Sequence, residues 1–366
     1  MSNYLNPVII INTDDWLSSM NSKRHHLNIN NPLIVTSNGN NERLSLKKIF
    51  KKTSVFSNAK DNPTFDDSIN IIKFIDNRDF DGVIAIGGGS VMDLAKLAMA
   101  HLSIKNKNVL KLINFKKKYK KRIPSIFIPT THGTASEVTM WGTIWDMKKR
   151  KKYSISNFSL YPDFAILDPS LTLSLPLNLS IITAMDALSH SLEAIWNKNH
   201  NIKSTDYALD AICLIIENVN KLKIDSQNIE TRKNLLIAST TAGLAFSNTK
   251  TAAAHSISYP LTANFGIPHG IASSLTLVPL LEINKKHIKQ PLMKICRRLN
   301  MTLDDFKNEI MNIPKNVIPF SLKSLNVPKN MIDLLVNESF TKGRMDNNIV
   351  DLSKEDVNDI LQSIYG

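Results

Sequence analysis

The sequence predicts an α/β N-terminal domain built on a parallel sheet, followed by an all-α C-terminal domain. Three observations predict it. Strand-like and helix-like segments alternate up to about residue 178, strand signals stop there, and the apolar spacing beyond is helical. The 366 residues suffice for two domains with substantial cores. Residues 1–180 are assigned to the α/β domain and residues 181–366 to the helical one.

Taken in order, "PLIVTSN" (32–38) is short, β-branched and bounded by polar turn residues, which predicts a buried strand. "ERLSLKKIFKK" (42–52) predicts a helix, "TSVF" (53–56) a short strand, and "FDDSINIIKFIDN" (65–77) a second helix. "DGVIAIGGGSVMDLAKLAMAHL" (81–102) reads as strand, glycine turn and helix. "PSIFIPTTHGTASEV" (124–138) repeats the design, a strand running into small and hydroxyl residues. Beyond residue 178, helical stretches are separated by "NKNHN", "DSQN" and "GIPHG".

Composition narrows the class. Apolar residues make up 43%, a globular value, and no apolar run reaches the roughly 18 residues a membrane span needs. The N-terminus shows no signal-peptide pattern. Cys213 and Cys296 sit in apolar helical patterns, so two buried free thiols in a reducing cytoplasm are expected rather than a disulfide. Much of the formal charge of +13 comes from "FKKKYKKR" (115–122) and "KKRKK" (148–152). No aromatic-and-basic motif or zinc finger accompanies it, so a solvated lysine-rich surface is expected, with neither nucleic acid nor membrane as partner. Such a field also draws in small anions.

"IAIGGGSVMD" (84–93) places glycines at a strand-to-helix junction, where backbone can approach a phosphate and unpaired N–H groups face it. Ser90 can cap the helix or bond a phosphate, and Asp93 lies one turn in. A tight turn needing glycine explains the same residues, and the segment is not GxGxxG. "TAMDALSHSLEAIW" (183–196) carries Asp186 and His190 at i, i+4, about 6 Å apart on one helix face. Taken alone, that pair reads as a hydrogen bond in a core. His255 and His269 change the balance, because Pro260, Gly266 and Pro268 put them on separate elements able to converge. Three imidazoles and a carboxylate suit divalent iron or zinc and suit magnesium or calcium poorly.

The segments "GGGSVMD", "PTTHGTASEVT", "DALSHSLEA" and "HSISYPLTANFGIPHG" resemble the iron-containing (group III) alcohol dehydrogenase family, in its order and spacing from about residue 30 to 285. The resemblance implies the dehydroquinate synthase-like fold: a Rossmann-like nucleotide half, a helical metal-binding half and a cleft between them. It implies metal ligands Asp186, His190, His255 and His269. It implies cofactor contacts at Gly88, Gly89, Ser90, Asp93, Thr130, Thr131, Thr139 and Lys152, giving one lysine of the basic run a role. A homodimer is expected on family grounds.

Two departures stand out. Members preferring NAD usually carry an Asp where this chain has Ser37; without it a 2′-phosphate is not repelled, and Arg43 or Lys47 could approach. NADP(H) is therefore expected, with NAD(H) as the alternative. Tyr259 stands where many members have a further His, so a pH-tuned relay is not expected there. Lys250 occupies a position the family fills with a small or apolar residue on the substrate wall. A buried cation there calls for an anion; a lysine whose stem lines the pocket while its ammonium reaches water is the plain alternative. With "TMWGTIWD" (139–146) and "EAIWNKN" (193–199), the chain resembles the phosphonoacetaldehyde reductase branch. This implies Lys250 as anchor, with Lys198 and Asn199 nearby, and Trp141 shaping the pocket. The competing expectation is a neutral short-chain alcohol, diol or aldehyde as substrate.

Overall fold

The computed structural model describes residues 4–115, 117, 119, 121–149 and 151–366. The chain divides into two units: one spans Asn6–Thr131 and Ala135–Thr172, the other Leu173–Gly366 with His132–Thr134 and the first residues to Leu5. The helical unit thus borrows three residues from the loop that follows the fifth strand, an exchange that segment texture cannot reveal.

The α/β unit runs β1 (Ile9–Asn12), α1 (Trp16–His26), β2 (Pro32–Thr36), α2 (Asn38–Arg43), α3 (Leu46–Ile49), β3 (Val55–Phe56), α4 (Phe65–Ile75), β4 (Gly82–Gly87), α5 (Gly89–Ile104), α6 (Val109–Ile113), β5 (Ser125–Pro129), β6 (Trp141–Asp146), β7 (Lys151–Ser156) and β8 (Phe164–Leu167). Six strands form one parallel sheet in the order β1-β8-β5-β4-β2-β3; β6 and β7 form an antiparallel hairpin. Each central strand is buried along its length because the sheet is covered on both faces. Leu33, Val35, Val83, Ala85 and Phe127 enter one core, and Ile34, Ile84, Ile86, Ile126 and Ile128 the other, so the period of two sorts side chains between two layers.

The predicted helix over 42–52 is broken. Ser45 takes φ +51°, leaving α2 and α3 as two short pieces, and residues 52–54 form a 3₁₀ turn before β3. Thr64 and Asp67 form a reciprocal capping box at the start of α4, which fixes that helix close to its predicted place.

The second unit is helical: α7 (Leu177–Ile195), α8 (Ile202–Val219), α9 (Lys221–Ile224), α10 (Ile229–Thr249), α11 (Ala253–Phe265), α12 (His269–Ser274), α13 (Leu277–Asn284), α14 (Lys289–Leu299), α15 (Leu303–Asn312), α16 (Ile332–Glu338) and α17 (Lys354–Ser363). Helix α7 is buried without interruption from Ala184 to Ile195 and packs on α8, α10 and α12, so every polar side chain it carries there must find an internal partner. Among the described residues no helix is long and apolar enough to cross a membrane. Cys213 is buried, as expected, while Cys296 is only half-buried. Of the basic runs, Lys116, Lys118, Lys120 and Arg150 lie outside the described residues.

Candidate metal centre and nucleotide turn

Asp186, His190 and Glu193 fall at i, i+4 and i+7 on α7, along one buried face. Asp186 Oδ1 lies 3.7 Å from His255 Nε2 and 4.0 Å from His269 Nε2. Asp186, His255 and His269 each offer a ligand atom, all within 4.8 Å of one another. Two ligand atoms about 2.1 Å from one ion at a tetrahedral angle stand about 3.4 Å apart, so the observed spacing suits a shared cation. His190 is placed differently. Its ring lies flat between Phe246 (centroids 4.1 Å apart) and His255 (4.6 Å), adjoining the trio by stacking.

Position is set by the backbone. His269 opens α12, and a Cβ at Gly270 would meet the Ile182 carbonyl oxygen at 2.2 Å. Only glycine lets α12 lie main chain to main chain on α7, which sets His269 beside Asp186. Ser273, one turn on, donates to Asp186 Oδ1 at 3.1 Å.

Glu193, missed by the sequence reading, organises the centre. It is fully buried and accepts from the His255 backbone N–H (3.0 Å) and from His255 Nδ1 (2.6 Å). That fixes the tautomer and leaves Nε2, buried without a hydrogen bond, to offer its lone pair. Burial opposes charge on His255, yet Glu193 and Asp186 push its pKa up to about 10. Burial also opposes ionisation of Asp186, but the surrounding imidazoles hold its carboxyl well below the usual range. Burial lowers His190 to about 4, against the pull of Asp186. Among the described residues neither buried carboxylate pairs with a lysine or arginine. Two buried carboxylates against one imidazolium, His255, leave a net negative site that a divalent cation completes by displacing the Nε2 proton, so these residues fit the metal.

In the α/β unit, the carboxyl ends of β2, β4 and β5 lie side by side. The chain turns outward from β2 to β3 and returns past it to β4, so β2 and β4 flank the switch point where open α/β sheets take their ligands. Gly88 caps α5 with its backbone alone, and a Cβ there would meet Thr131 Cγ2 at 3.1 Å. Gly89 is the first helical residue. Ser90, expected as a possible cap, instead accepts from the Asn62 backbone N–H at 3.2 Å. Ser37 caps α2 by accepting from the Asn40 N–H, and Arg43 donates to Asn40 Oδ1 at 2.6 Å. Asn40 Nδ2 in turn donates to Thr130 Oγ1. Asp93 is half-buried, with its pKa raised by desolvation against the pull of Lys96, and Lys152 of β7 is among the cations facing it. Thr139 is buried, its hydroxyl accepting from Lys96 Nζ at 2.9 Å. The Trp141 carbonyl accepts from the same ammonium at 2.8 Å.

One substrate-side expectation needs correction. Lys250 is exposed and is not the buried cation expected; it ends α10 at φ +66° and ψ 179°, backbone that a side chain rarely adopts. Lys198 is ion-paired with Asp351, and Asn199 is exposed and donates to Asn197. Tyr259, on α11, receives a hydrogen bond from Arg344 Nε (3.3 Å) and stacks beside His269 (centroids 6.4 Å).

His132, also unforeseen, is fully buried in the helical unit, with Nδ1 3.2 Å from Thr183 Oγ1 and Nε2 without a hydrogen bond. Burial and the Arg232 guanidinium lower its pKa to about 3, against about 6.5 in an unfolded chain. Between those values the unfolded chain binds more protons, so this group's contribution to stability is present above pH 6.5 and lost as pH falls toward 3, at up to 1.4 kcal/mol per unit (roughly). In urea titrations at pH 7.5, 6 and 5, His132→Gln should lose less stability than wild type. Parallel losses would remove His132 as the acid-sensitive group.

The profile described as Fe-containing alcohol dehydrogenase family, C-terminal, matches residues 180–365, and that described as iron-containing alcohol dehydrogenase matches residues 7–169. The probable alcohol dehydrogenase EutG of Escherichia coli (strain K12) is 34% identical over 230 residues, 63% of this chain and 58% of that protein, so the match spans under two thirds of this relative's length. The NADPH-dependent butanol dehydrogenase of Clostridium saccharobutylicum is 29% identical over 305 residues, 78% of this chain and 76% of that one. The sulfoacetaldehyde reductase of Bifidobacterium kashiwanohense, solved in complex with NAD+, superposes with a TM-score of 0.90 at 28% identity, covering 100% of this chain and 98% of the other. With both halves matched in order, this chain belongs to the iron-containing alcohol dehydrogenase family.

Proposed function

We propose that this protein reduces a small aldehyde to a primary alcohol with a divalent metal and NAD(P)H, and that the aldehyde is phosphonoacetaldehyde, giving 2-hydroxyethylphosphonate. The observation that carries the reductase reading is the convergence of Asp186, His255 and His269 around one point, with Glu193 behind it. A bound divalent ion supplies Lewis acidity toward a carbonyl oxygen, and a reduced nicotinamide supplies hydride. The protein's own part is to hold and orient. Asp186, His255 and His269 present their donors, with His190 stacked beside them; Glu193 fixes His255, and burial of Asp186 and His255 keeps water from that side. Iron and zinc both accept this donor set.

Gly88, Gly89, Ser90, Asp93, Thr130, Thr131, Thr139 and Lys152 are the proposed nucleotide contacts. NADP(H) is favoured by the hydroxyl of Ser37 at the end of β2, where no carboxylate repels a 2′-phosphate, and by Arg43 at the far end of α2. Likeness to a reductase named for an aldehyde bearing a sulfonate supports an anionic substrate, since a phosphonate presents the same tetrahedral set of three oxygens. The exposure of Lys250 and likeness to a butanol dehydrogenase favour a second reading, a neutral short-chain aldehyde, alcohol or diol.

The deciding experiment is metal analysis followed by NADPH and NADH oxidation with phosphonoacetaldehyde, sulfoacetaldehyde, propanal and butanal. We expect one divalent ion per chain, higher kcat/KM with NADPH, and a clear advantage for the phosphonate. Lys250→Ala should lower the ratio of phosphonate to butanal turnover by about three- to fivefold, the scale of an exposed ammonium. Butanal turnover equal to that of phosphonoacetaldehyde in the wild type would return the assignment to the neutral substrate.

A further inference from the structure

We propose that Arg344 is the specificity-determining residue that grips the tetrahedral oxyanion of the substrate; the inference rests on the anionic-aldehyde reading above and names the side chain that enforces it. The metal trio is unevenly covered. The side chains of Asp186 and His255 are 5% and 3% exposed, whereas that of His269 is 28% exposed, so a small molecule reaches the centre from the His269 side. On that side the His269 ring is flanked by Tyr259, whose hydroxyl receives the Arg344 Nε hydrogen bond. Arg344 is therefore one side chain removed from the most open ligand. A molecule with its aldehyde at the trio and an oxyanion a few bonds away extends toward it.

The guanidinium is held but not neutralised. Nε is spent on Tyr259 and one Nη1 hydrogen on the Gly343 carbonyl at 2.7 Å, and among the described residues it has no carboxylate partner. The nearest acid in sequence, Asp346, accepts from the Gly343 backbone N–H at 2.6 Å. Glu338 accepts from Asn264 Nδ2 at 2.7 Å. Two anchored nitrogens fix the plane of the fork and leave its remaining donors for an oxyanion, which a guanidinium matches two bonds at a time.

The turn that carries Arg344 is stapled to its surroundings. Asn347 Nδ2 donates to the Thr251 carbonyl (2.8 Å) and to the Gly343 carbonyl (2.9 Å), while its own carbonyl accepts from the Lys198 N–H at 2.8 Å. Thr251 follows Lys250 directly, so the staple joins the two loops bearing these cations. Lys198, on the third loop, is already matched by Asp351. Arg344 takes the anchoring role first given to Lys250, and Lys250 adds long-range attraction from solvent.

The test uses the metal- and NADPH-loaded enzyme with Arg344→Gln and Arg344→Lys. With phosphonoacetaldehyde and butanal as paired substrates, Arg344→Gln should lower the phosphonate-to-butanal ratio of kcat/KM about thirtyfold, mostly through KM, and Arg344→Lys should restore part of it. Calorimetric binding of 2-hydroxyethylphosphonate to enzyme carrying metal and NADP+ should weaken in parallel, with melting temperature reporting fold. A wild type that prefers the phosphonate while Arg344→Gln keeps that preference overturns the assignment to Arg344 and leaves the anionic-substrate reading standing. A wild type with no preference removes that reading instead. Calorimetry then decides on Arg344 alone: equal binding by both proteins refutes it, and loss in the variant supports it.

Discussion

His269→Ala should strip the protein of its divalent metal and its aldehyde reduction together. The substitution removes one donor of a trio whose other two members, Asp186 and His255, cannot close a coordination sphere. His269 is the most exposed of the three and opens a helix rather than filling a core, so its truncation should leave the fold intact. Metal content after extensive dialysis, measured by atomic emission beside NADPH oxidation, checks both halves. Full metal content with lost activity would assign His269 another role. Glu193→Gln gives the graded version. The amide keeps the shape but loses the charge that holds the His255 Nδ1 proton, and metal affinity should fall about ten- to hundredfold. Competition with a chromophoric chelator reads that shift without any turnover, and an unchanged affinity would dismiss Glu193 as the orienting group.

Lys96→Met should destabilise the α/β unit by about 3–5 kcal/mol, the scale of a buried charge cluster robbed of one partner. Lys96 is completely buried on α5. Its ammonium donates to the Ser136 carbonyl (2.7 Å), Ser136 Oγ (2.8 Å), Thr139 Oγ1 (2.9 Å) and the Trp141 carbonyl (2.8 Å). Burial pulls its pKa down to about 7, with Asp93 and Glu137 opposing. Methionine fills the space yet withdraws four hydrogen bonds from acceptors inside the protein, a loss that carries a desolvation cost. Because the clamped segment runs from Ser136 to Trp141, nucleotide binding should weaken as well. Urea unfolding with and without NADP+ tests both statements; an unchanged midpoint would mean that the cluster is solvated in the working enzyme.

What was legible in the sequence is what repeats locally. The apolar runs around "IAIGGG" and "SIFIP" announce β4 and β5 because a strand covered on both faces has no polar position to interrupt it. The pair Asp186 and His190 announces its helix face through spacing alone. Long-range fit was not legible. Glu193 lies in the segment that drew attention to its neighbours, and its place at i+7 from Asp186 was a usable signal; yet a glutamate in a helix ordinarily reads as surface. Lys96 in "MDLAKLAMAHL" reads likewise as a snorkelling side chain until the loop that supplies its acceptors is in place. The break at Ser45 and the backbone cap at Gly88 are matters of dihedral angle, which propensity does not encode. Arg344 sits in a turn with no periodicity, and only the Tyr259 contact brings it to notice.

The contact of Gly270 with the main chain of α7 has a consequence for how such an enzyme can diversify. Because His269 is located by backbone rather than by packed side chains, the Asp186, His255 and His269 cluster is insulated from change at the residues proposed to select the aldehyde. Lys250 ends one helix and Arg344 belongs to a turn after another, and neither element carries a donor to the ion. Under the proposed function, exchanging those two cations for neutral residues would trade one class of aldehyde for another while the spacing of the three donors stays as it was.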